Sequence, residues 1–471
     1  MGQTSRLTKL RAIPNNGTIR YLGPFNRGRF FLTTPETLAD VLVNRAYDWE
    51  KPKHFRTNLG RILGFGLYFA EGDVHRIQRK ALTPVFKSRH IRDDLYPIFW
   101  AKACECVAEL IKHISTRHKD DWGPKASGKG NPVSGTVEVS GWASRATLDI
   151  IGVAGLGHDF QALKSPEGEL IQAYSKIFAP SSHSWTLFIL GMIFPPWVVS
   201  LVPLKANRDI KAGVKSVRNV CRQLIKEASA GDARKADGGW IYCLSLSSQM
   251  HFYHDTEALV DQLMTFLIAG HETTAAAMTW VIYLLAVYPD IQETLRQEVR
   301  ENLPSPAWGQ GITKHNIDRL PYLTTVCLEV LWCFPPLPLT ARVAIRDTRI
   351  GDVHIPAGSE VFLVPWAINK SERLWSKDAL HFNPRWWLKT VPARSPIEDG
   401  GDRETENIKP FGVANFAKEE FTCLLAAWVG RFKMELHDPE LAVYKNVKIG
   451  GGITARPNKG MYINMTVLDG W

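Results

Sequence analysis

LMTFLIAGHETTAAAMTWVIYLLAVY, Leu263 to Tyr288, is the stretch whose reading decides the fold. It is apolar on nearly every side, interrupted only by His271-Glu272, and too long for a strand. A helix that is hydrophobic all round lies in the middle of a large core. Pro289-Asp290 ends it and opens a polar helix, IQETLRQEVRENL. The charged pair halfway along is the anomaly. In Ala269-Gly270-His271-Glu272-Thr273-Thr274 a carboxylate precedes two threonines. That pattern suggests a locally opened turn, with the hydroxyls on backbone carbonyls and Glu272 free to pass protons through water. The plain alternative is a kink without function, and the segment alone leaves both open.

Working outward, helices dominate, and the expected class is mainly α with small β-sheets at one side. Thr34-Pro35-Glu36 starts a helix, with Thr34 as N-cap and Pro35 at its first position. The apolar spacing is helical from Asp94 to Ile114 and from Val139 to Val153. Gly17 to Leu32 carries β-rich runs, and Ile350 to Val364 reads as a hairpin turning at Pro356-Ala357-Gly358. Trp122 to Gly135 is a Gly/Pro/Ser-rich loop. No repeat divides the chain, so residues 17–471 are expected to form a single domain behind a short polar segment, 1–16. Ile177 to Leu204 contains no Lys, Arg, Asp or Glu, but Pro195-Pro196 breaks it. A pair of short apolar helices is expected there, covering a substrate pocket, dipping into a bilayer surface or simply buried.

Of the 471 residues, 45% are hydrophobic and 22% charged, an ordinary globular balance. The net charge of +10 is scattered and no nucleic-acid motif accompanies it, which argues against nucleic acid as a partner. The basic surface is either plainly solvated or drawn to anionic lipid or an acidic protein. The 7 cysteines are spread without a CxxC pair, which excludes a disulfide scaffold and a zinc site and suits a reducing compartment. The start, MGQTSRLTKLRAIP, has no apolar run, so no signal peptide or membrane anchor is expected.

The hexamer Ala269–Thr274 closely resembles the oxygen-activation motif (A/G)Gx(D/E)T(T/S) of the cytochrome P-450 superfamily, the haem-thiolate monooxygenases. The resemblance runs from about Gly17 to Leu468 and is similar in style to fungal members, many of which serve secondary metabolism. It implies that Glu272 and Thr273 deliver protons to bound dioxygen. Glu71 to Lys80, followed by Pro84-Val85-Phe86, resembles the family's C helix, which implies that His75 and Arg79, one turn apart, reach the haem propionates. Pro335-Pro336-Leu337-Pro338 before Arg342 resembles the segment whose arginine also pairs with a propionate. Haem, a small apolar organic substrate and electrons from NADPH through a reductase are implied with it. So is a cytoplasmic location, with peripheral contact to the endoplasmic reticulum membrane through Trp185 to Leu204.

Three departures fall in the catalytic half. Lys409-Pro410-Phe411-Gly412-Val413-Ala414-Asn415-Phe416-Ala417-Lys418-Glu419-Glu420-Phe421 keeps both flanks of the family's PFGxGxRxCxGxxFAxxE and lacks its middle. About seven residues, the haem-ligating cysteine among them, are missing. A haem-thiolate oxygenase cannot replace that cysteine, whose thiolate drives O–O cleavage. The nearest substitute, Cys423, follows Gly412 by 11 positions where the family ligand follows by six, and its helical setting suits a small packed hydrophobe. The family's ExxR reads Glu329-Val330-Leu331-Trp332, and its FxPxRW reads Phe382-Asn383-Pro384-Arg385-Trp386-Trp387, so tryptophans stand at both arginine positions. Glu329 is therefore expected to be buried without a partner, with Arg385 pointing elsewhere, in a fold that is fragile for it. Three readings follow: an inactive pseudoenzyme, a working monooxygenase whose reported sequence lacks the loop, or a non-catalytic binding or scaffold protein.

Overall fold

The computed structural model describes residues 13–23, 26, 28–83, 91–122, 133–178, 190, 194, 196–229, 256–375, 377–389, 415–450 and 454–471. The flank Lys409–Ala414, most of the Trp122–Gly135 loop and much of the Ile177–Leu204 run lie outside them.

Local chemistry places the helices. The first, α1 (Pro35–Ala39), starts as expected: Thr34 is extended, its hydroxyl accepts from Thr37 N at 3.4 Å, and Pro35 takes the first position. After α2 (Lys53–Leu63) and α3 (Gly72–Leu82) comes α4 (Tyr96–Trp122), entered through one π-helical turn, Ile91–Leu95. Glu138 caps α5 (Val139–Ile150), taking Ser140 N at 3.1 Å and Gly141 N at 2.7 Å. Another π turn, Ile151–Gly155, follows. Then come α6 (Glu169–Phe178), α7 (Pro196–Leu201) and α8 (Lys205–Ser229). The central helix, α9 (Thr256–Val287), is unbroken, so the turn at Glu272 is closed rather than opened. Pro289 starts α10 (Pro289–Asn302), since the residue before proline is pushed out of the helical region. Proline also opens α11 (Pro321–Cys333), and α12 (Asn415–Arg431) begins where FAKEEF suggested.

Twelve strands make four small sheets among the described residues. The largest has the order β1 (Thr18–Leu22), β2 (Gly28–Leu32), β8 (Glu360–Leu363), β5 (Thr340–Ala344), β3 (Trp49–Glu50). Only the β2–β8 pair is parallel. A second sheet has β12 (Tyr462–Val467) between β4 (Ser134–Glu138) and β9 (Phe432–Leu436). The hairpin near residue 350 falls elsewhere than expected. It joins β6 (Thr348–Ile350) to β7 (Val353–Ile355) through Gly351, whose positive φ of 55° the turn requires. The Pro356–Gly358 turn instead leads into β8, which pairs in the large sheet. One further hairpin joins β10 (Ile449–Gly450) to β11 (Arg456–Pro457).

The main core surrounds α9, with Trp100, Trp280, Trp428, Tyr96 and Tyr283 almost fully enclosed. A smaller core under the large sheet contains Phe30, Leu32, Trp49 and Val361. Close approach of α9 to its neighbours depends on glycine: a Cβ on Gly270 would lie 2.7 Å from Ile151 Cδ1, and one on Gly64 2.5 Å from Asp261 O. Among the described residues no single helix is long and apolar enough to cross a membrane.

Candidate active site

Between Gln262 and Leu285 every residue of α9 is buried except Ala269, Gly270 and Thr273. These three make one open strip in a helix otherwise sealed into the core. Thr273 Oγ1 donates to Ala269 O at 2.8 Å, four residues back, so the hydroxyl is held on the strip. Glu272 leaves the helix about 100° round from Thr273 and is only 4% exposed. It is not free: its carboxylate meets the Arg456 guanidinium on β11. Burial lowers the Arg456 pKa, with the Glu138 charge opposing. His271 Nδ1 lies 2.5 Å from Leu267 O, and burial pushes the imidazole down to about 4. With its proton on Nδ1, His271 is neutral and makes no ion pair with Glu272 Oε1, 3.4 Å from Nε2. Thr274, next along, donates to Glu420 Oε2 at 3.0 Å. Burial raises that acid's pKa well above the ordinary range, opposed by the Thr274 bond.

A cluster of cations forms at the start of α3. Thr265 Oγ1 donates to Leu63 O at 2.9 Å and Leu67 N to Gln262 Oε1 at 2.8 Å, so α9 itself anchors the segment leading to Glu71 and His75. Lys51 bonds Glu71 Oε1 at 3.2 Å and sits 5.3 Å from the Tyr68 ring centre. Pairing of β3 with β5, Glu50 opposite Val343, sets Lys51 beside Arg342. Arg342 bonds only Thr340 Oγ1 at 3.2 Å and its neighbour's carbonyl, Ala341 O, at 2.8 Å among the described residues. Burial lowers the pKa of Lys51, His75 and Arg342; His75 is lowered further by the charges of Lys51 and Arg79. The three sequence candidates His75, Arg79 and Arg342 thus share one electrostatic neighbourhood. Lys51 completes it. No motif marks this lysine, because a two-residue strand delivers it.

The expectation for Glu329 is corrected by the structure. This residue of α11 is 2% exposed but fully partnered. Oε2 accepts the indole N–H groups of Trp386 and Trp387, each at 2.7 Å, and Oε1 accepts Asn383 N at 2.9 Å. Trp332 stacks edge-on against Trp375, Trp386 and Trp387, and donates its own N–H to Asn369 O at 2.9 Å. An indole carries a donor as an arginine does, without the charge. Hydrogen bonding to Glu329 therefore survives the loss of both arginines. Arg385 is exposed and bears on Tyr322 instead.

A profile of the Cytochrome P450 family matches residues 5–462. The chain belongs to the cytochrome P450 family. It is 39% identical to the cytochrome P450 monooxygenase sphH of Aspergillus fumigatus, over 98% of this chain and 83% of that protein. It is 36% identical to the cytochrome P450 monooxygenase ALT8 of Alternaria alternata, over 100% of this chain and 86% of the relative. To the cytochrome P450 monooxygenase FUM15 of Gibberella moniliformis it is 34% identical, over 95% and 80%. The family's cofactor is haem, and its members act on organic substrates with a reductase as partner.

The residues present fit only half of that cofactor. Three cations, Lys51, Arg79 and Arg342, with the His75 imidazole among them, surround the single carboxylate of Glu71 and leave positive charge that a porphyrin's two carboxylates would neutralise. The iron side has no such match. Cys423 is fully buried in α12, where burial first and then the Glu419 charge raise its pKa well above that of a free thiol. A ligating cysteine needs the opposite shift, toward thiolate. Cys327 and Cys106 are likewise buried and pushed up to about 12, mainly by burial. Among the described residues no group of His, Cys, Asp and Glu could hold a metal ion. The described cysteines do not fit a thiolate-bound haem, and no step through it is derived for this chain.

Proposed function

We propose that this chain is a cytochrome P450 of fungal secondary metabolism whose oxygenase centre has decayed, a single domain over residues 17–471 that no longer forms a thiolate-ligated haem. The observation that carries this reading is that Phe416 follows Gly412 by only four positions, about seven fewer than in the family's motif, while Cys423 is a thiol buried in the core whose pKa burial raises. In this reading Glu272 and Thr273, like His75, Arg79 and Arg342, keep the places of their ancestral roles in proton delivery and propionate binding. The test is spectroscopic. Purified protein supplied with haem, reduced and placed under carbon monoxide, is expected to show no thiolate-type Soret band; such a band, lost in Cys423→Ala, refutes the reading.

The intact cation cluster and the open Ala269–Thr273 strip favour a second reading, a working monooxygenase whose transcript contains the missing residues. Sequencing that transcript across Gly412 to Phe416 separates the two. For location, we infer reversible contact with a membrane surface such as the endoplasmic reticulum. Trp197 on α7 is 67% exposed and Leu201 71%, with Phe194 beside them at 43%, and Lys205 and Arg208 follow to meet anionic headgroups.

A further inference from the structure

Beside Glu272, between α5, α6, α9 and β11, lies a cleft of about 460 Å³, within the size range of small-molecule pockets. Its polar groups are unevenly spent. Glu138 uses both oxygens, capping α5 and accepting Met461 N at 3.2 Å. Glu272 is committed to Arg456. The other cation, Arg145, makes no ion pair among the described residues. Its guanidinium lies 3.9 Å from the Trp142 ring centre and only Nε is used, donating to Gly141 O at 3.3 Å. Two buried hydroxyls on the lining, Tyr174 Oη and Ser140 Oγ, have no hydrogen-bond partner. Tyr174 is 4% exposed and packed on His271 with ring centres 4.4 Å apart, so its hydroxyl cannot turn to bulk water. Buried polar groups without partners are uncommon, and each asks for an explanation. Here the unspent groups are a cation and two hydroxyls, while both acids are taken. Leu148, Pro166, Ile171 and Phe178 supply an apolar wall alongside them.

We propose that this cleft binds a small amphipathic carboxylate, its head held by the Arg145 guanidinium and the Tyr174 hydroxyl and its apolar body lying along Ile171 and Phe178. A carboxylate offers the acceptors that these donors lack, and arginine receives it through paired N–H groups. An amine would meet Arg145 as a like charge, and an alcohol would leave that cation unanswered. Neither a thiolate nor an iron enters this argument, so the site stands whether or not the loss of the thiolate centre holds.

The test uses the full chain without added haem, titrated with decanoate, decanol and decylamine. Binding is read by equilibrium dialysis and by the fluorescence of the tryptophans, Trp142 lying against Arg145. Decanoate is expected to bind saturably with one equivalent per chain, decanol at least roughly tenfold more weakly, and decylamine not at all. Arg145→Gln should weaken decanoate by roughly tenfold or more while leaving decanol unchanged, and Tyr174→Phe should weaken decanoate several-fold. Should Arg145→Gln fail to fold, Tyr174→Phe, which removes a single oxygen, carries the test. Equal affinity for decanoate and decanol, several equivalents bound without saturation, or decanoate affinity unchanged in the folded variants overturns the proposal. None of these outcomes bears on the carbon monoxide spectrum, so the two readings fail separately.

Discussion

Replacing Trp386 by Phe keeps a ring against Trp332 and Trp387 but removes one of two indole donors to Glu329 Oε2. A hydrogen bond to a charged, buried acceptor is worth about 1.5–3 kcal/mol. A loss of about 2 kcal/mol is therefore expected at neutral pH, plus a contribution from the smaller ring. The two parts separate by pH. Burial raises the Glu329 pKa above its ordinary 4.5, and the Asn383, Trp386 and Trp387 donors pull it back down. Between 4.5 and the raised value the native state binds more protons than the unfolded chain, so stability falls as pH rises through that window. Below 4.5 both states are protonated and the ionic penalty vanishes. Without the Trp386 donor the folded pKa climbs further, so the window widens and the penalty above it deepens. The ring-area loss, in contrast, does not change with pH. Urea unfolding of parent and variant at about pH 4 and about pH 7.5 should give a smaller difference at the acid end. A loss equal at both values, or no loss at all, refutes the indole-donor account of Glu329.

Arg456→Met should cost about 3 kcal/mol of stability by urea unfolding, since it strands Glu272 in a buried site, and adding Glu272→Gln should recover most of it; an additive double variant would argue against the pair. Thr274→Val removes the hydroxyl that Glu420 accepts and should lower stability by about 1–2 kcal/mol, with the thermal midpoint as the check. Trp197→Asp with Val198→Asp should release the protein from anionic vesicles at low salt while its far-UV spectrum stays the same. Failure of the unmodified protein to float with such vesicles ends the membrane reading.

Much of this molecule is legible locally. An unbroken apolar run of this length has nowhere to lie but the core, so α9 followed from composition alone. Proline sterics set the start of α10, and an extended threonine before proline set the start of α1. The lost cysteine loop could be read because both of its flanks survive in the sequence. Partner choice was not legible. Glu329 was expected to be stranded because the arginine positions hold tryptophan, yet Trp386 and Trp387, 57 and 58 positions along, turn their N–H groups onto it. Glu272 was read as free, and a β11 arginine 184 positions away claims it. Lys51 joins the cation cluster only because a two-residue strand pairs with β5. The β6–β7 hairpin was displaced because β8 found its partners in the large sheet. Helix type and ends depend on sterics and periodicity within a few residues. A buried polar atom must instead find its partner wherever the packed chain brings one, and that is settled by long-range apposition.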